Sequence, residues 1–207
     1  MDSTDEGEKR QRGRPRSFDS DAALDQAMLL FWERGYEGTS LADLTAAMGI
    51  SPPSLYAAFG DKESLFLACV ERYGRSAGRH AGAALSAGLG ARETLEKILL
   101  DSAEEFGSPC HPKGCLVVSS ALRSARSNEA VREALSNLRA QNAAAIQACL
   151  ERGQREGQVA ADADCASLAL FFASVVQGMS VSAQDGATLE ELRRTAQWAM
   201  RAWPKPA

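Results

Sequence analysis

Between Thr39 and Asp61 the chain carries two apolar stripes of only about two helical turns each, and no other feature restricts its fold as tightly. In the first, Ser40 stands as an N-cap with Asp43 three residues on, Leu41, Leu44 and Met48 form the stripe, and Gly49 closes it. In the second, Ser51 is the cap and Pro52 takes the first helical position, where its missing N–H breaks no helical bond. This helix is expected to run to about Ala58 and to end at Gly60. Helices this short are unstable alone in water, so the pair must share a core with its neighbours. Before it lies a stripe of Leu24, Ala27, Met28 and Phe31 that stops at Gly35. After it comes a helix capped by Asp61, with Leu65, Phe66, Cys69, Val70 and Tyr73 on one side. Phe31, Leu44, Ile50, Leu55 and Phe59 are the expected core. Two short helices joined by "MGIS" have the layout of a helix-turn-helix, whose second helix enters the DNA major groove. A plain helical hairpin inside a larger bundle has the same layout.

The rest of the chain is also helical in pattern. Leu95, Ile98, Leu99, Ala103 and Phe106 form a stripe that "GSPCHP" (107–112) interrupts, and "KGCLVVSSALRSA" resumes it for about three turns. Val131, Leu135, Leu138, Ile146 and Leu150 mark a helix of some seven turns, ended around Gly153–Gly157. Residues 165–183 are apolar on nearly every side, which implies burial on more than one face. Leu189, Leu192, Ala196, Ala199, Met200 and Trp203 define a last amphipathic helix stopped by Pro204. No segment sustains a period of two, so the expected fold is all-α with about nine helices. No apolar run approaches the ~18–20 residues that span a bilayer. The N-terminus lacks the apolar stretch of a signal peptide, which points to the cytoplasm.

A net charge of -4 argues against a general nucleic-acid coat and confines any DNA contact to a local patch. Residues 1–17 have the composition of a disordered arm, and Lys9, Arg10, Arg12, Arg14 and Arg16 follow one another there with no acid between them. "RGRP" (12–15) is the core of an AT-hook-like element, in which glycine lets the backbone lie deep while arginines enter a narrow A·T-rich minor groove. Such a tether could also raise non-specific affinity by counterion release alone. The five cysteines are odd in number and widely spaced, as reduced thiols are. Cys110, His111 and Cys115 in "PCHPKGC" make a poor zinc signature, so no metal or cofactor is expected, although thiol chemistry there is a second reading. With His80 and His111 the only histidines and no phosphate loop, no enzyme is indicated.

"GYEGTSLADLTAAMGISPPSLYAAFGDKESLFLACVERYG" (35–74) resembles the DNA-binding domain of the TetR family of bacterial transcriptional regulators. The similarity runs from about Phe18 to Tyr73. It rests on the "GYEGTS" before the first short helix, the "AAMGIS" turn, the "LYAAF" of the second and the "DKESL" that opens the next. "KGCLVVSSA" and "VQGMSVSAQDGAT" are similar to stretches in some subgroups. The resemblance implies a basic arm at 1–17, a helix-turn-helix domain at 18–62 and a ligand-binding and dimerisation domain at 63–207. It implies base contacts from Ser51, Pro52, Pro53, Ser54 and Ala57, and phosphate contacts from Tyr56, Thr39, Ser40 and Lys62. Arg10, Arg12, Arg14 and Arg16 join that surface. Between Ser51 and Ala58 there is no Arg, Lys, Asn or Gln, the side chains that discriminate bases best, so the arm must supply part of the affinity. Pocket candidates are Phe66, Leu99, Ser102, Phe106, Leu122, Asn142 and Ile146. The dimer face is expected at Leu168, Phe171, Phe172, Val175, Val176, Met179, Leu192, Ala196, Ala199, Met200 and Trp203. The implied protein is a homodimeric repressor released from a palindromic double-stranded DNA operator by a small-molecule effector. The alternatives are a redox-sensing regulator of the same fold and an AT-hook-type architectural DNA-binding protein.

Overall fold

The computed structural model describes residues 18–123 and 128–204, the side chains of Leu122 and Arg123 excepted. Its described elements are α1 (Ser20–Arg34), α2 (Leu41–Met48), α3 (Pro52–Phe59), α4 (Lys62–Arg75), α5 (His80–Ser86), α6 (Ala91–Gly107), α7 (Leu116–Arg123), α8 (Glu129–Arg155), α9 (Cys165–Gln184) and α10 (Leu189–Ala199), with short 3-10 turns at Ala77–Arg79 and Met200–Ala202. There are thus ten α-helices among the described residues rather than about nine. The additional one, α5, has the sequence "HAGAALS", whose single large apolar side chain, Leu85, leaves no stripe to detect.

Local chemistry fixes the ends of the first four helices. Asp19 accepts from the Asp21 and Ala22 N–H groups, Ser51 from Ser54 and Asp61 from Ser64. Ser40 and Asp43 form a reciprocal capping box. Gly49, at φ 65°, takes the left-handed conformation that turns the chain sharply from α2 into α3.

Two hydrophobic cores result. The first joins α1–α4 around Phe31, Trp32, Leu44, Leu55 and Phe66, and it also takes in Leu116 and Val117 of α7 with Val131 and Leu135 of α8. Phe66 meets Phe31 edge-on at 5.1 Å and Tyr36 at 5.2 Å, and Tyr73 meets Trp32 edge-on at 4.9 Å. Arg72 donates two hydrogen bonds of 2.8 Å to the Asp25 carboxylate and ties α4 to α1. The second core joins α5, α6, α8, α9 and α10 around Leu99, Phe106, Leu150, Phe172, Leu192 and Trp203. Cys115 packs against both. Contrary to the sequence expectation, α9 is long and apolar enough, by length and composition, to cross a bilayer. Phe172, Ala173, Met179 and Ala183 nevertheless pack its inner side into the second core.

Two helices approach closely at Gly153 of α8, where an added Cβ would lie 2.4 Å from the Ala91 Cβ and 3.2 Å from Val159 Cγ2. Alanine gains about 1 kcal/mol of helix propensity over glycine, but overpacking costs about 1–3 kcal/mol. Gly153→Ala is therefore expected to lower the denaturant midpoint without changing the m-value. A raised midpoint would contradict the close contact between α6 and α8.

Candidate nucleic-acid interface and ligand cavity

The outer surface of the helix-turn-helix is built around one inward anchor, Leu55, which is fully buried on α3. With that residue fixed inside, helical periodicity turns Ser51, Pro52, Pro53, Tyr56 and Ala57 to solvent. Tyr56 is 51% exposed, more than any other aromatic of the first four helices. Ser54 is half-buried, its hydroxyl 2.9 Å from that of Ser51. Ser40 is exposed at the head of α2, and its hydroxyl belongs to the capping box; those bonds hold the Asp43 carboxyl below its ordinary pKa. Thr39 differs from the sequence expectation. It is buried, and its hydroxyl donates to Gly35 O at 2.8 Å, so that group is a turn clamp rather than part of the outer surface. Lys62 is half-buried with Nζ 4.2 Å from the Tyr36 ring centre, and burial lowers its pKa. Arg10, Arg12, Arg14 and Arg16 lie outside the described residues.

A cavity of about 330 Å³ opens along the seam between the two cores. Val70, Tyr73 and Val117 line it from the first core, and Ile98, Phe106 and Ile146 from the second. Of the residues expected from sequence, Phe106, Ile146 and the exposed Asn142 face it. Ser102 stands behind the wall, bonded at 3.0 Å to Nε2 of His80, which does face the space. Leu99 is packed into the second core, and Phe66 is committed to the aromatic cluster of the first, so neither lines the cavity. The side chain of Leu122 lies outside the described residues. Sequence reasoning did not single out Tyr73, His80, Arg139 or Gln177 for this role. Tyr73 reads as one more member of an apolar stripe and Arg139 as a surface charge, and no spacing rule separates either from those roles.

The "PCHPKGC" loop is structural in the same region. The His111 ring stacks on Trp32 with centroids 4.4 Å apart, and its Nε2 lies 2.8 Å from Glu105 Oε1. Cys110 is exposed and Cys115 is partly buried. Burial pushes the Cys115 thiol above its ordinary pKa, leaving it protonated and weakly nucleophilic at neutral pH. Among the described residues no three His, Cys, Asp or Glu side chains gather as metal ligands.

Residues 23–69 match the family described as "Bacterial regulatory proteins, tetR family", and residues 93–203 match "Tetracyclin repressor-like, C-terminal domain". The chain belongs to the TetR family. Among its relatives is the HTH-type transcriptional repressor ComR of Escherichia coli K12, 38% identical over 95% of this chain and 94% of that one. The repressor BdcR of the same organism is 28% identical over 89% and 88%. A cysteine mutant of the TetR family regulator CifR, solved in complex with 26-base-pair double-strand operator DNA, is 46% identical. It covers 93% of this chain and 100% of its own, with a TM-score of 0.88. The protein is accordingly a helix-turn-helix transcriptional regulator, and these relatives are regulators rather than enzymes.

In this TetR-family chain the stripe assigned to dimer contact is largely spent on the chain's own core. Phe172, Met179, Leu192, Ala196, Ala199, Met200 and Trp203 are buried within the single chain. Val176 faces the cavity, and Leu168 and Val175 are half-buried. Phe171 alone of the expected set is exposed; beside it Leu170 is 64% exposed and, on α10, Trp198 is 63% exposed under the Arg201 guanidinium. Sequence reasoning took the amphipathic stripe of α10 as the interface, when a stripe that regular is what the monomer needs for its interior.

The Tyr73 hydroxyl is buried with no hydrogen-bond partner of regular geometry; the Cys115 thiol, a weak acceptor, is beside it. Removing an unsatisfied buried hydroxyl lifts its desolvation cost, about 1–3 kcal/mol at most. Tyr73→Phe should therefore leave the ligand-free protein as stable as the parent or raise its Tm by a few degrees. A clear fall in Tm by calorimetry would mean that the hydroxyl is already satisfied.

Proposed function

We propose that this protein is a cytoplasmic homodimeric repressor that grips a palindromic double-stranded operator and leaves it when a small molecule fills the seam cavity. The observation that carries the reading is shared material: α4 and α7 line the cavity through Val70, Tyr73 and Val117 and also pack into the core that supports α3. A ligand that favours a different spacing of those walls favours a different placing of the recognition helix, which is a population shift between two packed states. Ser51, Pro52, Pro53 and Ala57 offer close, small contacts to base edges, with Ser54 and Ser40 at their margin. Tyr56 and Lys62 serve phosphate contact, and Arg14 and Arg16, with Arg10 and Arg12, reach the minor groove. The outward faces of α9 and α10, at Leu170, Phe171 and Trp198, supply the self-complementary dimer surface.

Selection from random DNA is expected to recover one palindrome, bound by the dimer and released by a small molecule. Binding to arbitrary A·T-rich DNA with no preferred site would contradict the proposal. Leu170→Glu with Phe171→Glu should give a folded monomer by sedimentation and weaken operator binding by at least about a hundredfold. A variant that stays dimeric would move the interface elsewhere. Deleting residues 1–16 should leave the dimer folded and flatten the salt dependence of operator binding by roughly 2–4 log units per protomer, at about 0.9 per phosphate neutralised. An unchanged slope would reduce the arm to a passive tail.

A further inference from the structure

The cavity wall carries the guanidinium groups of Arg79 and Arg139 beside the neutral amides of Asn142 and Gln177. Arg79, His80 and Arg139 line it and no Asp or Glu does. Arg139 Nη1 is buried without a hydrogen-bond partner, and no carboxylate pairs with Arg139 among the described residues. The Tyr73 hydroxyl is likewise buried, with no partner of regular geometry beyond the weakly accepting Cys115 thiol, and Tyr73 and Arg139 both line the cavity. Donors held out of water without acceptors carry a standing desolvation cost, which an incoming acceptor removes. Several cations elsewhere have carboxylate partners: Arg72 with Asp25, Arg193 with Glu104, Lys97 with Asp101. In the cavity, guanidinium and hydroxyl donors line the same space.

We infer that the effector is a small amphipathic monocarboxylate, its head held by Arg139 and Tyr73 and its hydrocarbon body lying against Phe106, Ile146 and Val176. A guanidinium and a phenol lining one cavity offer N–H and O–H donors to the two oxygens of a carboxylate, an arrangement that an alcohol or an amine cannot satisfy. The apolar remainder of the lining suits a chain or a ring. At ~30 Å³ per water, about 330 Å³ corresponds to roughly eleven waters, so the ligand has on the order of ten non-hydrogen atoms. Octanoate and phenylacetate have that size. Exposed Arg79 and Asn142 flank the opening and add attraction for an anion as it arrives.

This inference rests on the reading of the cavity as the effector site, and the test separates the two. Octanoate, phenylacetate, octan-1-ol and octylamine are titrated against the full-length protein by calorimetry and, in parallel, against its complex with the selected operator. The carboxylates are expected to bind at least about tenfold more tightly than the alcohol and the amine, and to release DNA. Arg139→Gln should cost at least about tenfold in carboxylate affinity and little in affinity for the alcohol. Tyr73→Phe, which retains the ring, should cost severalfold if Arg139→Gln proves poorly folded. Equal binding of the alcohol, or carboxylate affinity indifferent to both substitutions, overturns the anion assignment. If the alcohol or amine then releases the operator, effector control by this cavity survives without it. Carboxylate binding that leaves operator affinity unchanged supports the anion site and contradicts the effector reading, and no binding by any of the four overturns the inference.

Discussion

The packing of α4 and α7 against Trp32 is the contact on which the rest of the molecule depends. Tyr73 meets the Trp32 ring edge-on, His111 lies flat on the indole from the loop before α7, and Leu116 and Val117 complete the enclosure. Without that contact the two eight-residue helices would rely on α1 and α4 alone for their core. The DNA-reading unit thus borrows side chains from residues more than forty positions downstream. Its geometry answers to events around α7 as well as to those along α4.

That borrowing explains where the cavity lies. Two cores built from different helices meet along a seam, and Cys115 belongs to both sides of it. Close packing across such a seam would weld the halves into one body, whereas a void there removes the contacts that would hold each wall in place. Ligand-dependent repacking needs a gap of this kind, and α4 and α7 are the elements of the first core that line it. The loop carrying His111 is a strut in this scheme, braced at one end by Glu105 and at the other by Trp32.

Much of this was legible in the sequence, for identifiable reasons. The caps at Ser40, Ser51 and Asp61 and the stops at Gly49 and Gly60 are local chemistry, and they set the helix-turn-helix nearly to the residue. Long stripes such as that of α6 announce themselves by period. The short α5 did not, because seven residues rich in alanine and glycine make no stripe. Direction was harder than existence. An apolar residue on α9 or α10 can face its own core or a partner, and composition is blind to the choice; of the adjacent Phe171 and Phe172, only Phe172 is buried. Likewise Thr39 belongs to the helix-turn-helix, yet only the three-dimensional turn shows its hydroxyl committed to Gly35. The cavity's polar groups were the least legible, since Tyr73 and Arg139 acquire meaning through what fails to pair with them.

The central claim, that the cavity walls and the DNA-reading helices share one cooperative core, is tested most directly by native-state hydrogen exchange on Leu116→Ala. Leu116 is fully buried in α7, and a truncation of this kind costs about 2–5 kcal/mol. The shared core predicts that the amides of Phe31 in α1 and Phe66 in α4 lose protection by about as much as those of α7 itself. Faster exchange confined to α7, with α1–α4 unchanged, would mean that the two halves unfold independently and would contradict the account.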